Sequence, residues 1–383
     1  MEKLLGKTLK ELQDVALGCG LKKFAGKQLA EWIYVRRATS FDEMTNISLV
    51  GRKLLSERYE IGRKAPVAEA VSKDGTKKYL FEVEVKAPNG ELRKQYVESV
   101  FIPVSEGETT PEDDQDAESP LAPMKKEEGE KVSRATLCVS TQAGCRMGCR
   151  FCMTGTLGFQ GHLSAADILN QIFSIPDSQL LTNLVYMGEG EPMDNISDVL
   201  RSLQIMTADY GCAWSPRRIT VSTVGAGEGL DRFLKESECN LAISLHNPFA
   251  DERAEIMPAE KLRNMRQVLN WVGQQDFRHQ RRLSFEYIVW GGKNDSMRYA
   301  RELVSLLKPF SPHCRVNLIR FHEDPDPSKR ERQQAHFPAT NERQMQWLCD
   351  YLNQNGVTTT IRRSRGEDIL AACGMLVNAL KDK

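Results

Sequence analysis

Residues 138–152 read CVSTQAGCRMGCRFC, and this stretch holds four of the ten cysteines in the chain. Three of them, Cys145, Cys149 and Cys152, follow a short apolar run with the spacing Cys-x3-Cys-x2-Cys. Three thiolates so close together can bind three irons of a [4Fe-4S] cube and leave the fourth iron open to a small chelating ligand. A structural zinc site, the alternative, normally closes with four protein ligands, and the nearest histidine is His162. The spacing favours an iron–sulfur cluster on a loop that follows a strand.

Apolar, strand-like runs alternate with helical stretches from residue 133 onward. The strand candidates are TLCVS (136–140), NLVYMG (183–188), RITVSTVG (218–225), LAISLH (241–246), LSFEYIVW (283–290), RVNLIRF (315–321) and TTTIRRS (358–364). The helix candidates are 164–175, 194–210, 260–275, 296–309 and 340–355. This alternation is typical of βα units around a parallel sheet. We therefore expect an α/β fold, a partial (β/α) barrel with functional residues at the C-terminal ends of its strands.

The first hundred residues have a different pattern. Residues 1–60 repeat apolar side chains at roughly helical spacing. Residues 67–103 change to period two, and Pro88-Asn89-Gly90 marks a turn between the runs YLFEVEV and QYVESVFI. These patterns predict an accessory domain over 1–104, helical in 1–60 with a small β unit at 67–103, and the family resemblance described below implies that this domain binds RNA. The barrel core is expected over 132–383.

The net charge of zero conceals a strong asymmetry along the chain. Residues 105–131 contain ten Asp and Glu against three Lys, a net of −7, so the rest of the chain carries +7. This acidic, Pro-containing stretch has few large apolar residues, which predicts a low-complexity linker. Basic runs elsewhere suit either a phosphate backbone or an ordinary solvated surface; they are Arg278, Arg281 and Arg282, then Lys329, Arg330 and Arg332, then Arg362, Arg363 and Arg365.

The N-terminus, MEKLLGKTLKELQDV, carries charge throughout and lacks the apolar region of a signal peptide. No stretch approaches the roughly 18 uninterrupted apolar residues of a membrane helix. We therefore expect a cytoplasmic protein that does not enter a membrane. In that compartment, ten cysteines indicate metal or catalytic use rather than a disulfide framework.

Several local sequences together closely resemble the RlmN/Cfr family of RNA methyltransferases, within the radical S-adenosylmethionine (SAM) superfamily. They are CVSTQAGCRMGCRFC, MGEGEP (187–192), TVSTVG (220–225), AISLHNP (242–248) and RGEDILAACG (365–374). The stretch KQLAEWIYVRRATSFDEMTNIS (27–48) resembles the helical accessory domain of that family. The resemblance covers nearly the whole chain except the acidic linker.

The resemblance implies that Cys145, Cys149 and Cys152 bind a [4Fe-4S] cluster whose open iron chelates SAM. An electron from the cluster would cleave SAM to a 5′-deoxyadenosyl radical. The implied SAM-binding residues follow successive strands; they are Gly190 and Glu191 of a Gly-Glu-Pro motif, Ser222, Ser244, Leu245 and His246. His322 occupies the position of an Asn that contacts SAM in many relatives. Imidazole can donate or accept a hydrogen bond, so this contact can survive the difference.

Two outlying cysteines carry the rest of the implied chemistry, which uses two SAM molecules per turnover. The first SAM methylates Cys373, and the second yields the radical that activates this S-methyl group for addition to adenine. Glu98 would accept the ring proton from the resulting protein–RNA adduct. Cys138 would then release the product as it forms a disulfide with Cys373.

The implied substrate is C2 of adenine 2503 in 23S ribosomal RNA, with adenine 37 of transfer RNA as a further target. An alternative is a Cfr-type enzyme that methylates C8 of the same ribosomal adenine and confers antibiotic resistance, because both types share these catalytic residues. Two further alternatives are another radical SAM enzyme, such as a glycyl-radical activase, and a non-catalytic RNA-binding relative. The former would not need Cys138 and Cys373, and the latter would be expected to lack one of the five cysteines. The resemblance also implies a flavodoxin-type electron donor, and a monomer is the default expectation.

Overall fold

In this computed structural model, the described residues are 1–105, 132–277, 281–322, 337–372 and 374–376. Most of the expected acidic linker and Cys373 lie outside these ranges, as do Arg278, Lys329, Arg330 and Arg332. None of the described helices is both long and apolar enough to cross a membrane.

The N-terminal segment is helical, as its spacing predicts. Short strands β1 (Glu2–Lys3) and β2 (Tyr59–Glu60) pair in parallel around helices α1 (Leu9–Gly18), α2 (Ala25–Ala30), which a π-helical turn continues, and α3 (Leu49–Arg58). Thr8 begins α1 through a capping box with Glu11. The Glu11 carboxylate also lies 2.7 Å from Arg201 Nη1 on the barrel. Apolar residues of this segment share one hydrophobic core with the barrel strands, so the two parts are packed together.

One ten-stranded sheet forms the rest of the scaffold. Its strands in chain order are β3 (Ala68–Val71), β4 (Lys77–Lys86), β5 (Leu92–Ser105), β6 (Val132–Cys138), β9 (Asn183–Tyr186), β10 (Ile219–Thr223), β11 (Asn240–Ser244), β12 (Leu283–Val289), β13 (Cys314–Arg320) and β14 (Thr359–Arg362). Strands β6 and β9 to β14 lie side by side in order and are parallel, as in a partial barrel. A separate short pair, β7 (Gln142–Ala143) and β8 (Gly161–His162), flanks the cysteine loop.

The predicted β unit is not a module separate from the barrel. Strands β3, β4 and β5 are antiparallel, and β5 pairs with β6, the first barrel strand, through Val100 opposite Cys138. The alternation of apolar and polar residues predicts a strand but does not show which strand it pairs with. The unit was therefore assigned to the accessory domain from its place in the sequence. The structure instead joins it to the core sheet.

Helices connect the parallel strands. They are α4 (Met153–Leu157), α5 (Ala165–Phe173), α6 (Ile196–Thr207), α7 (Gly229–Glu236), α8 (Ala250–Ile256), α9 (Met265–Val272), α10 (Met297–Leu307) and α11 (Glu342–Gln354). The five predicted helices correspond to α5, α6, α9, α10 and α11. Helices α4, α7 and α8, which have five to eight residues each, were not predicted.

The segment after β14 crosses from one edge of the sheet to the other. The amide of Gly366 donates to Asp74 Oδ2 in the β3–β4 turn at 2.9 Å. The Asp368 carboxylate accepts from Ser72 Oγ in the same turn at 2.5 Å. This C-terminal segment therefore spans the open side of the partial barrel and brings its described residues, 366–372 and 374–376, over β4, β5 and β6.

Candidate active site

The cysteine loop lies at the C-terminal ends of the parallel strands. Cys145, Cys149 and Cys152 all line one cavity of about 150 Å³. The same cavity is lined by Gly190, Glu191, Ser222, Ser244 and His246, which come from three other strand ends. Cys145 and His246, which are 101 positions apart in the chain, are thus brought to one cavity, as expected of a parallel sheet.

The donor set of this cavity fits an iron–sulfur cluster. Its three cysteines match the three protein ligands of a [4Fe-4S] cube, in which each thiolate binds a different iron. Burial raises the pKa of Cys145 to about 12, and burial also raises the pKa of Cys149 and of Cys152. Thiolates in this setting need bound cations to offset their charge.

Glu191 is fixed at the floor of this cavity. Its Oε1 accepts from Thr223 Oγ1 at 2.6 Å, and its Oε2 accepts from the amide of Val224 at 3.0 Å. Burial raises the pKa of the Glu191 carboxyl to about 7. Gly190 has a φ of +97°, and a Cβ there would lie 2.5 Å from Gln142 Cβ. The cavity wall therefore requires glycine at position 190.

Ser222 and Ser244 lie on neighbouring strands with their hydroxyl oxygens 3.5 Å apart. Leu245 differs from them, because its side chain is fully buried in the core. It lines neither the cysteine cavity nor the larger cavity described below. Its carbonyl accepts from Arg253 Nε at 2.9 Å, and Arg253 Nη2 donates to the carbonyl of Ser244 at 2.8 Å. Buried Arg253, which is neutralised by Glu260, braces these strand ends and was not singled out from the sequence.

His246 is held as a neutral imidazole. Its Nδ1 accepts from the amide of Ile288 at 3.1 Å, which leaves the proton on Nε2. Burial, with a contribution from the positive charge of Arg253, lowers the pKa of His246 to about 3. Its ring packs edge to face on Phe151 of the cysteine loop, with centroids 5.0 Å apart. His246 therefore orients the cysteine loop besides facing the cavity.

His322 lies elsewhere. It lines a second, larger cavity rather than the cysteine cavity. Its Nε2 lies 2.5 Å from Ser364 Oγ and 3.5 Å from Glu367 Oε1. Burial lowers the pKa of His322. In this arrangement the imidazole contacts the C-terminal segment, and its predicted contact with SAM stays a prediction.

Glu98 is completely buried in β5. Its Oε1 lies 3.0 Å from Lys78 Nζ on β4, and Lys78 is only 1% exposed. The amide of Glu98 donates to Glu189 Oε1 at 2.9 Å. Burial, with a contribution from the negative charge of Glu98, raises the pKa of Glu189 to about 8. Lys78 was missed because charged residues on strands normally face water, and Glu189 lies in the loop that follows β9.

Cys138 ends β6 beneath the C-terminal segment. It belongs to a small apolar cluster with Val100, Val185, Ala371 and Leu376. The carbonyl of Gly374 accepts from the amide of Met153, next to Cys152, at 2.8 Å. Cys373 itself lies outside the described residues. The chain on either side of it contacts both Cys138 and the cysteine loop.

The second cavity has a volume of about 490 Å³ and runs from the N-terminal ends of the strands towards the cysteine cavity. Both cavities are lined by Met187, Glu286, Ile319 and Arg362, so they adjoin. Among its described lining residues, ten are arginines and one, Glu286, is acidic. The arginines are Arg134, Arg217, Arg218, Arg281, Arg282, Arg315, Arg320, Arg362, Arg363 and Arg365. The basic runs of the sequence thus converge, where described, on the barrel interior.

Two families match this chain. Residues 2–61 match the ribosomal RNA large subunit methyltransferase N-terminal domain, and residues 139–306 match the radical SAM superfamily. A crystal structure of a radical SAM methyltransferase from Sphaerobacter thermophilus is similar with a TM-score of 0.79 and 31% identity, covering 98% of this chain and 99% of that one. The predicted radical SAM barrel and its N-terminal domain are confirmed.

Full-length relatives agree with these matches. A probable dual-specificity RNA methyltransferase RlmN from Porphyromonas gingivalis is 52% identical, over 97% of this chain and 96% of its own. The corresponding protein from Phocaeicola vulgatus is 48% identical, over 99% of this chain and 96% of its own. The dual-specificity RNA methyltransferase RlmN of Syntrophotalea carbinolica is 34% identical, over 97% of this chain and 89% of its own. The chain therefore belongs to the RlmN family of radical SAM methyltransferases, whose chemistry requires a [4Fe-4S] cluster and SAM.

Proposed function

We propose that this protein methylates C2 of adenine in RNA, at adenine 2503 of 23S ribosomal RNA and at adenine 37 of transfer RNA. The observation that carries this proposal is the pair of adjoining cavities, one lined by ten arginines and the other by Cys145, Cys149 and Cys152. A volume of about 490 Å³ is in the range of small-ligand sites and suits an extruded nucleotide. The full-length relatives named dual-specificity RNA methyltransferases support the two RNA targets.

RNA would enter from the N-terminal ends of the strands. Arginine guanidinium groups bind phosphate oxygens in pairs, so the large cavity suits the sugar–phosphate backbone of the nucleotides around the target. The adenine would then reach the junction of the cavities, where Glu286 and Arg362 lie 3.5 Å apart. This junction is bordered by Ala372 on the large cavity and Gly374 on the small one.

The residues of this chain would act in sequence. Cys373 would accept a methyl group from one SAM, and a second SAM held by the cluster would supply the radical chemistry that removes a hydrogen atom from that methyl group. The resulting carbon radical would bond to the adenine ring, one electron would pass from the ring to the cluster, and Glu98 would take the ring proton. The Cys138 thiolate then attacks the sulfur of Cys373, so that an S–S bond forms and the S–C bond breaks with its electron pair left on the adenine methyl carbon, which gains a proton. Reduction by an external thiol restores both cysteines.

The cavity that holds the SAM sulfonium and amino acid groups would be formed by Gly190, Glu191, Ser222, Ser244 and His246. A neutral His246 Nε2–H and the two serine hydroxyls can donate hydrogen bonds to a carboxylate, and the Glu191 carboxyl can accept from an amino group. Leu245 would act through its backbone, and His322 would act from the large cavity. The electron donor would be of flavodoxin type, and the protein would act as a monomer in the cytoplasm.

Nucleoside mass spectrometry tests this function directly. The gene is expressed in a bacterial host that lacks its own adenine C2 methyltransferase, and ribosomal and transfer RNA are digested separately. We expect 2-methyladenosine in both fractions, and none when Cys373→Ala replaces the wild-type chain. Gain of 8-methyladenosine instead would assign the chain to the C8 activity, and absence of both products from cells with intact cluster would contradict the proposal.

A further inference from the structure

Lys78 is a buried charge for which the fold alone has no need. Its side chain is 1% exposed and its partner Glu98 is fully buried. Burying such an ion pair has a desolvation cost that equals or exceeds its Coulombic gain, so an apolar pair of similar volume would stabilise the sheet at least as well. Charges kept in such a position indicate a role beyond stability, although a buried ion pair alone does not say which role.

The second contact of Lys78 indicates the role. Its Nζ also donates to the carbonyl of Leu370 at 3.3 Å, in the C-terminal segment three residues before Cys373. Leu370 has a φ of +54°, a left-handed conformation that is unfavourable for a residue with a side chain unless its surroundings hold it. Lys78 is thus one group that touches both Glu98 and the C-terminal segment.

The groups around Glu98 are arranged to hold it still. Ser140 Oγ donates to the carbonyl of Glu98 at 2.6 Å, and Glu189 Oε1 accepts from its amide at 2.9 Å. These two bonds fix the backbone, whereas the ion pair with Lys78 fixes the carboxylate. A proton acceptor must lie within hydrogen-bonding reach of the carbon that it deprotonates, and a displacement of one ångström is enough to slow the step.

We propose that Lys78 is a positioning residue that holds the Glu98 carboxylate in register with the C-terminal segment that carries Cys373. This inference rests on the proposed function, since it assigns Glu98 as the proton acceptor. Lys78 does not touch the substrate. It aligns Glu98 for the step in which the C–H bond of the adenine ring breaks, its electron pair stays on the ring, and the proton passes to a Glu98 oxygen.

The test follows single steps in the full-length protein with reconstituted cluster, SAM, reductant and a 23S ribosomal RNA fragment. Mass spectrometry measures methylation of the peptide that carries Cys373, a denaturing gel measures the protein–RNA adduct, and nucleoside analysis measures product. The variants are Lys78→Met, Glu98→Gln and the double variant. Lys77→Met is the matched control, because Lys77 is the neighbouring lysine on the same strand and pairs instead with Asp177 at 2.8 Å.

We expect Lys78→Met to methylate Cys373 normally and to form the adduct, but to release product at least tenfold more slowly, as Glu98→Gln does. The double variant should be no slower than Glu98→Gln alone, since Lys78 acts through Glu98. The double variant also removes both buried charges, so we expect it to fold even if Lys78→Met alone fails to fold. Product release by Lys78→Met at the wild-type rate would overturn the inference. Loss of Cys373 methylation in the double variant would also overturn it, and so would a product-release rate in the double variant that is reduced by the product of the two single-variant factors. A wild-type chain that forms neither adduct nor methyladenosine would instead overturn the proposed function.

Discussion

Lys78 and Glu98 form a fully buried ion pair across two antiparallel strands, with Nζ 3.0 Å from Oε1. Leu80, two residues after Lys78, is the register partner of Glu98, so the lysine reaches the glutamate diagonally along one face of the sheet. This pair joins the strands that precede the barrel to the segment that ends the chain.

Removal of one charge of this pair should destabilise the protein. We expect Lys78→Met to lower the free energy of unfolding by about 3–5 kcal/mol, because it leaves the carboxylate buried without a counter-charge. The double variant Lys78→Met/Glu98→Gln should recover most of that loss. Urea unfolding followed by circular dichroism measures both values, and equal stability of the single and double variants would contradict the pairing.

Cys138→Ala should accumulate a covalent protein–RNA adduct. Without the Cys138 thiolate, the sulfur of Cys373 is not attacked and the RNA stays attached. A denaturing gel should show a shifted band that nuclease treatment removes. Cys349→Ala, which removes a buried thiol on α11, is the matched control and should show no shifted band. Absence of the adduct in the Cys138 variant would remove the resolving role from that residue.

The buried Glu189 should make stability depend on pH. Its pKa is about 8 in the folded chain against an ordinary value of 4.5, so the folded state binds a proton that the unfolded state has lost between those values. The stabilisation is complete below about pH 4.5 and is lost as the pH rises through about 8, with a slope of at most about 1.4 kcal/mol per pH unit. Relative to the wild type, Glu189→Gln should therefore gain stability from pH 5 to 8 and level off above it. A difference that does not change with pH would contradict a raised pKa.

The arginines of the large cavity should contribute to RNA affinity through phosphate contacts. We expect Arg282→Gln and Arg315→Gln each to weaken binding of an RNA fragment and to lower the slope of log affinity against log salt by about 1. Arg301→Gln on α10 is the control, because Arg301 is exposed and does not line that cavity. Equal salt slopes for all three variants would place the RNA on another surface.

The acidic segment should be dispensable for the fold. Ser105 and Val132 are register partners at the ends of β5 and β6, so a two-residue Asn-Gly turn can replace residues 106–131. The replacement removes ten acidic residues and three lysines, which raises the net charge from 0 to +7. We expect methylation to persist and RNA affinity at low salt to increase. Loss of RNA affinity with the cluster intact would show that the segment contributes to binding.

Much of the fold could be predicted from local pattern. The seven strand-like runs from TLCVS to TTTIRRS all correspond to strands of the parallel sheet, and five helices were predicted between them. The sequence pattern was sufficient there because apolar runs of that length need burial on both faces. It was insufficient for the β unit at 67–103, because the alternation of apolar and polar residues in a strand does not show which neighbouring strand it will pair with.

The sequence by itself predicted the chemistry at the cysteine loop, because three thiols within eight residues can bind one cluster when the chain between them forms a loop. The positions of Gly190, Ser222 and Ser244 at or just after the ends of strands could also be predicted, because each lies at the end of an apolar run. Only the tertiary structure decided that Glu98 is buried against Lys78, that His322 faces the large cavity, and that Cys138 lies beneath Ala371 and Leu376. These contacts join residues far apart in the chain, and they depend on how the C-terminal segment spans the open side of the sheet, which no local pattern encodes.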